Sequence, residues 1–184
     1  MKRLTFLRLI LAAAAALTMT GAFGQSYPTR PVRVIIPFPP GGTLDTLGRA
    51  LAQKLSEQMG QQFVVENKPG GNGIIGADAV AKAPADGYTL LFNASTFVTA
   101  PMTMKQVPYG VVPDFTPIAL VAKAPLSVAI AKDLPVTDIK SLIAYAKGKN
   151  GNATFAVGSI GSAGHLATEL LKRAGGIEYT VVPY

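Results

Sequence analysis

The chain has 184 residues, 49% of them hydrophobic, with 17 Lys and Arg against 10 Asp and Glu and a formal charge of +7. It holds no cysteine and a single histidine, which excludes disulfides, a lipid-bearing cysteine and a Cys/His metal site. The cations of the body (Lys54, Lys68, Lys82, Lys105, Lys123, Lys132) are scattered and never form a dense run, a distribution that argues against a nucleic-acid partner.

Met1-Lys2-Arg3 and Arg8 make a basic start, Leu9 to Leu17 an apolar stretch, and Thr18 to Gly24 a small-residue region ending Ala22-Phe23-Gly24. This pattern predicts a cleaved secretory signal peptide over residues 1–24 and a periplasmic destination. The apolar stretch falls short of the roughly 20 residues a bilayer span needs, so no stable membrane anchor is expected. Removing Lys2, Arg3 and Arg8 with the leader lowers the charge from +7 to +4 and leaves 160 residues, enough for an ordinary hydrophobic core.

Val32, Val34, Ile35 and Ile36 read as a buried strand of a parallel sheet. Pro39-Pro40-Gly41-Gly42 cannot continue it, because the prolines fix φ and remove donors. Thr43 is then the expected N-cap of a helix, with Asp45 a capping and dipole residue in its first turn and Arg49 solvated one turn later. Leu44, Leu47, Leu51, Leu55 and Met59 recur at helical spacing up to Gly60. A helix N-terminus aimed past the carboxyl end of a strand is a geometry that binds anions.

Phe63 to Asn67 predicts a second strand, Ile74 to Ala83 a helix, and Tyr88 to Phe92 a third strand, followed by the polar loop Asn93-Ala94-Ser95-Thr96. Pro101 to Pro113 shows no regular pattern and reads as a surface crossover. Alternating strands and helices predict a parallel α/β fold. Beyond it, Thr116 to Val121 and Ser127 to Ala131 are strand candidates flanking a hinge-like Lys123-Ala124-Pro125. Asp138 to Lys147 reads as a helix. A complete βαβ unit follows: strand Thr154 to Val157, turn Gly158 to Gly164, helix His165 to Ala174 and strand Glu178 to Val182.

The turn Gly158-Ser-Ile-Gly161-Ser-Ala-Gly164 invites a rival reading as the dinucleotide turn of an enzyme. Against it, Glu178 begins the next strand, whereas a ribose-binding acid belongs at a strand's carboxyl end. Ser159 or Ser162 with His165 is the only Ser/His pair on offer for hydrolysis, and no Gly-x-Ser-x-Gly elbow is present.

Six blocks carry a resemblance running from Tyr27 to Tyr184. They are Tyr27-Pro-Thr-Arg-Pro31; Pro37-Phe-Pro-Pro-Gly-Gly42 with Asp45; Val64-Val-Glu-Asn-Lys-Pro-Gly70; Ala83-Pro-Ala-Asp-Gly-Tyr-Thr-Leu-Leu91; Pro113-Asp-Phe-Thr-Pro-Ile118; and Val181-Val-Pro-Tyr184. In this order and spacing they resemble the Bug family, the periplasmic solute receptors of tripartite tricarboxylate transporters. The resemblance implies a periplasmic-binding-protein-like α/β clam shell of two domains with mainly parallel sheets, residues 25–122 and 123–184, incomplete in this chain. It also implies a small carboxylate ligand between the domains, a membrane permease as partner, and neither cofactor nor enzymatic activity. Carried over by position, the ligand would be met by Pro40, Gly41, Gly42 and Thr43 on one jaw. Ser159, Gly161, Ser162, Ala163 and His165 would form the other, and Asn93, Ala94, Ser95 and Thr96 would help set specificity. Family receptors continue past Val-Pro-Tyr, so the resemblance further implies a truncation, with a non-binding relic or fragment as the alternative reading.

Overall fold

The computed structural model describes residues 26–184, so the signal-peptide reading lies outside the described residues. Strands β1 (Val32–Ile36), β2 (Phe63–Asn67) and β3 (Thr89–Leu91) form a parallel sheet in the order β2-β1-β3, with Val34 opposite Val65 on one side and Leu90 on the other. β1 takes the centre because its apolar run can be buried on both faces. Val32, Val34, Ile35 and Ile36 are each no more than 4% exposed, and burying such a side chain is worth about 1.5–3 kcal/mol.

Helix α1 (Thr43–Met59) lays Ala52 and Leu55 on Val32, Val34 and Phe63. Gly48 permits this approach, since a Cβ there would lie 2.5 Å from Ile36 Cδ1. A 3₁₀ turn, Gly71–Gly73, leads into α2 (Ile74–Ala81), which packs against β1 and β3. The chain steps from β1 outward to β2 and then back across to β3. Right-handed crossovers in opposite directions place α1 and α2 on opposite faces. The strand order therefore reverses at the carboxyl end of β1, where the Pro-Pro-Gly-Gly turn departs.

Two expectations are corrected here. Pro101 to Pro113 was expected to lack regular structure, yet helix α3 (Thr96–Thr103) runs through Pro101. Proline supplies no N–H to the carbonyl four residues back. The Tyr109 hydroxyl donates to that orphaned Phe97 carbonyl instead, at 3.2 Å, while Phe97 stacks on Tyr109 and meets Phe115 edge-on. The predicted strands Thr116 to Val121 and Ser127 to Ala131 are not formed, and Ile118 and Leu120 are 78% and 74% exposed. Their composition suits a strand, but a strand requires a neighbour to complete its ladder, and none of the described strands pairs with them.

Helix α4 (Ile139–Gly148) opens with a capping box between Asp138 and Ser141. Strands β4 (Thr154–Val157) and β5 (Thr180–Pro183) form a second, two-stranded parallel sheet around helix α5 (Ala163–Gly175). Its core gathers Ala146, Ala153, Ile177 and Tyr179, with Ile143, Phe155, Leu171 and Val181 against them. The parallel α/β class is as expected from the sequence.

Candidate functional site

The first turn, Pro39 to Gly42, bends through Gly41 at φ +85°, a left-handed conformation suited to glycine. The Gly41 N–H donates to Asp45 Oδ2 at 2.9 Å. Asp45 is 4% exposed and also accepts from Arg49 Nε at 2.9 Å and from Asn67 Nδ2, through Oδ1, at 2.9 Å. Asn67 in turn donates to the Phe38 carbonyl and accepts from Arg49. The Arg49 hydrogen bond first, then those from Gly41 and Asn67, hold the Asp45 carboxyl far below the usual carboxylate range. Asp45 thus braces the turn from below, and Arg49 is not merely solvated but balances the buried charge. The N-cap is Gly42, with no side-chain cap, and Thr43 stands one residue inside the helix. The first N–H groups of α1 are left to be satisfied from outside.

The second turn, Gly158 to Ser162, follows β4 and repeats this geometry. Gly161 lies at φ +77° and its N–H donates to His165 Nδ1 at 3.0 Å. Ser162 is the N-cap, its Oγ accepting from the His165 N–H at 3.1 Å, so α5 begins two residues before the expected His165. Helix geometry leaves the Ala163 and Gly164 N–H groups without intrahelical acceptors. His165 Nδ1 is engaged within the turn, and Nε2 lies 3.9 Å from Glu169 Oε1.

In the third candidate segment, Asn93 Oδ1 accepts from the Ala94 N–H, and Ser95 caps α3 through its backbone alone. Thr96 is 4% exposed and its Oγ1 has no hydrogen-bond partner among the described residues. This segment is joined to the second turn through α3: Thr99 Oγ1 donates to the Gly161 carbonyl at 2.6 Å. Asn72 Nδ2, from the 3₁₀ turn, donates to the Ile160 carbonyl at 2.6 Å. Sequence reasoning missed Asn72 and Thr99. The available signals were an Asn inside a Gly-rich turn, where left-handed φ is tolerated, and Thr99 and Thr103 at helical i,i+4 spacing.

A cavity of about 490 Å³ borders this junction, lined by Asn72, Thr103, Lys105, Ser159, Ile160 and Tyr184 among others. Of the sequence-predicted residues it includes only Ser159. Neither candidate turn contains Lys or Arg, so an anion held there would be met by N–H groups and hydroxyls. Among the described residues no group of three or more His, Cys, Asp and Glu could hold a metal ion, and no helix is long and apolar enough to cross a membrane. Glu178 precedes β5 at its amino end and pairs with Lys172 at 2.8 Å, away from where a dinucleotide's ribose would lie.

Solved periplasmic binding proteins of the Bug/TctC type superpose on this chain. R. palustris Rpa4515, solved with adipate, is 42% identical with a TM-score of 0.82, over 86% of this chain and 53% of that one. MatC (Rpa3494) from Rhodopseudomonas palustris with bound malate is 29% identical with a TM-score of 0.70, over 86% and 54%. Protein BugT of Bordetella pertussis is 40% identical over 165 residues, 87% of this chain and 50% of its own length. The family model for the tripartite tricarboxylate transporter family receptor, TctC, matches residues 47–184. The chain belongs to this TctC/Bug family of receptors, whose members are periplasmic solute-binding proteins rather than enzymes. It spans about half the length of the curated relatives it matches.

Proposed function

We propose that this chain carries the ligand-holding turns of an extracytoplasmic receptor that binds a small carboxylate between two α/β domains, residues 25–122 and 123–184. The receptor delivers its ligand to the membrane permease of a tripartite tricarboxylate-type transporter, and the leader over residues 1–24 exports it to the periplasm. The observation that carries this reading is the pair of matching turns, Pro39 to Thr43 and Gly158 to Ala163, each opening a helix at the carboxyl end of a parallel strand. Adipate and malate, the molecules named with two structural neighbours, are both small dicarboxylates, in keeping with that chemistry. Pro40, Gly41, Gly42 and Thr43 shape one side of the carboxylate cradle, and Ser159, Gly161, Ser162, Ala163 and His165 the other. Asn93, Ala94, Ser95 and Thr96 meet the remainder of the ligand.

Charge-assisted hydrogen bonds contribute roughly 1.5–3 kcal/mol each. Three or four of them, helped by two helix N-termini, supply most of the roughly 8 kcal/mol of a micromolar complex. Thermal melts with a panel of small carboxylates, adipate and malate included, test the proposal. A ligand at about a hundred times its dissociation constant adds roughly 2.7 kcal/mol, and the midpoint rises by several degrees. A cooperative melt that no carboxylate moves sinks the reading.

A second reading is favoured by the exposed apolar segment containing Ile118, Leu120, Leu126 and Val128. On that reading the polypeptide folds and binds only when this segment is covered. Absence of a cooperative transition is its expected signature.

A further inference from the structure

We propose that Asn72 and Thr99 form a latch that fixes the second turn's position relative to the first, and that they are positioning residues for the carboxylate. The inference rests on the receptor reading above.

Both side chains read backbone carbonyls of the second turn, Ile160 for Asn72 and Gly161 for Thr99. The sequence separations are 88 and 62 residues, so both bonds join the second turn to segments that belong with the first sheet. The peptide groups on either side of Gly161 are thereby gripped from both bodies. Its N–H is held by His165 within the turn, and its C=O is held by Thr99 from outside. The contact is close-packed: a Cβ on Gly161 would lie 2.7 Å from Thr103 Oγ1. The residues that follow, Ser162 to Gly164, open α5, so the latch sets where that helix's N–H groups aim.

The same side chains tie the second turn to the other candidate segments. Thr99 sits in α3, one helical turn after Ser95. The 3₁₀ turn bearing Asn72 leans on the residues preceding Pro39, since a Cβ on Gly73 would lie 3.4 Å from Phe38 Cζ. Asn72 holds a left-handed backbone at φ +58° between Gly71 and Gly73, and its side-chain amide is held by the Ile160 carbonyl.

The latch is built to release. Thr99 Oγ1 also lies 3.2 Å from the Ser95 carbonyl, the i−4 acceptor available to a helical threonine. Moving the turn away therefore leaves the hydroxyl with a partner. Asn72 is half-buried and its Oδ1 finds no partner among the described residues, while the Nδ2 bond to the Ile160 carbonyl lies on the exposed side, where water can replace that acceptor.

The test uses substitutions that delete the donors without disturbing the backbone. Asn72→Gly accommodates the left-handed φ, and Thr99→Val keeps the shape. The chain has no native cysteine, so a fluorophore pair on Gln58→Cys and Lys147→Cys reports the separation of the two bodies cleanly. Without ligand, the parent shows one short, narrow distance distribution. Each single variant broadens it and the double variant shifts it to longer distances, while Thr99→Ser restores it. Adipate binding to each single variant weakens about threefold to tenfold, the range for one lost hydrogen bond. Distances that stay unchanged in folded variants overturn the latch. Distances that change while adipate binds none of the proteins spare the latch and count against the adipate-type ligand instead.

Discussion

The two candidate turns share a geometry but not a chemistry. In each, a glycine at positive φ donates its N–H to the side chain four residues on: Gly41 to Asp45, and Gly161 to His165. The first brace is a buried carboxylate, neutralised by Arg49 and steadied by Asn67. The second is a ring nitrogen, with Glu169 Oε1 at 3.9 Å from the other nitrogen of the ring. The first helix has a glycine at its N-cap with no side-chain cap, the second a serine whose Oγ accepts the His165 N–H. The first turn grows from a three-stranded sheet with a fully buried centre, the second from a two-stranded one. A polar brace at i+4 is thus common to both turns. Its chemistry differs between the two, a carboxylate in the first turn and an imidazole in the second.

The comparison can be pressed hardest at the two glycines. Both face the cost of left-handed φ on gaining a side chain, roughly 1–2 kcal/mol. Around Gly41 nothing lies within 4 Å of the new Cβ, whereas at Gly161 it meets Thr103 Oγ1 at 2.7 Å. Gly161→Ala is therefore expected to cost about 2–4 kcal/mol, adding an overpacking penalty, against about 1–2 kcal/mol for Gly41→Ala. Denaturant midpoints measure both, and equal losses would mean that the second turn is not held against α3.

Next in size is the cap. Ser162→Ala removes the acceptor of the His165 N–H and is expected to destabilise by about 1 kcal/mol, read as a lower melting midpoint.

Asp45 supplies the pH arm. Its folded pKa lies below the unfolded value of about 4, so its stabilisation is complete above that value and is lost as pH falls through both. Asp45→Asn keeps a carbonyl acceptor but has no proton to gain. Melts between pH 7 and pH 3 should show a shallower acid decline in the variant, and parallel declines would refute the assignment.

The smallest effect is expected from Gly42→Ser, which gives the first helix the cap that the second already has. A Cβ there meets only the Pro39 carbonyl, at 3.9 Å, so stability should rise by a few tenths of a kcal/mol. If the N–H groups of this turn serve the ligand, carboxylate affinity should fall as the new hydroxyl occupies one of them.

What could be read without the structure followed local rules. The strand at Val32–Ile36 and the helix that follows were legible because an apolar run meets Pro-Pro-Gly-Gly and then leucines at helical spacing. The helix after Asp138 was likewise legible, while the capping box that Asp138 forms with Ser141 was not read. Thr116 to Val121 carries an equally strand-like pattern, but pairing is a property of the neighbour, which no local pattern reveals. Helix α3 was hidden by Pro101, and its rescue depends on Tyr109, eight residues further along the chain. At the site, the turns were legible and their braces were not. Asp45 reads from sequence as a dipole and capping residue, and nothing local says that Gly41 curls back onto it. Asn72 and Thr99 act across the gap between two sheets, which places them beyond any sequence window.

A two-stranded sheet is marginal by itself, and among the described residues β4 and β5 have only each other as ladder partners. On the timescale of amide hydrogen exchange, protection should therefore be graded across the molecule. The N–H groups of β1, flanked on both sides, would be the last to exchange, and those of β4 and β5 would go far sooner. On the latch proposal, the second turn takes its constancy from the body beside it more than from its own two strands.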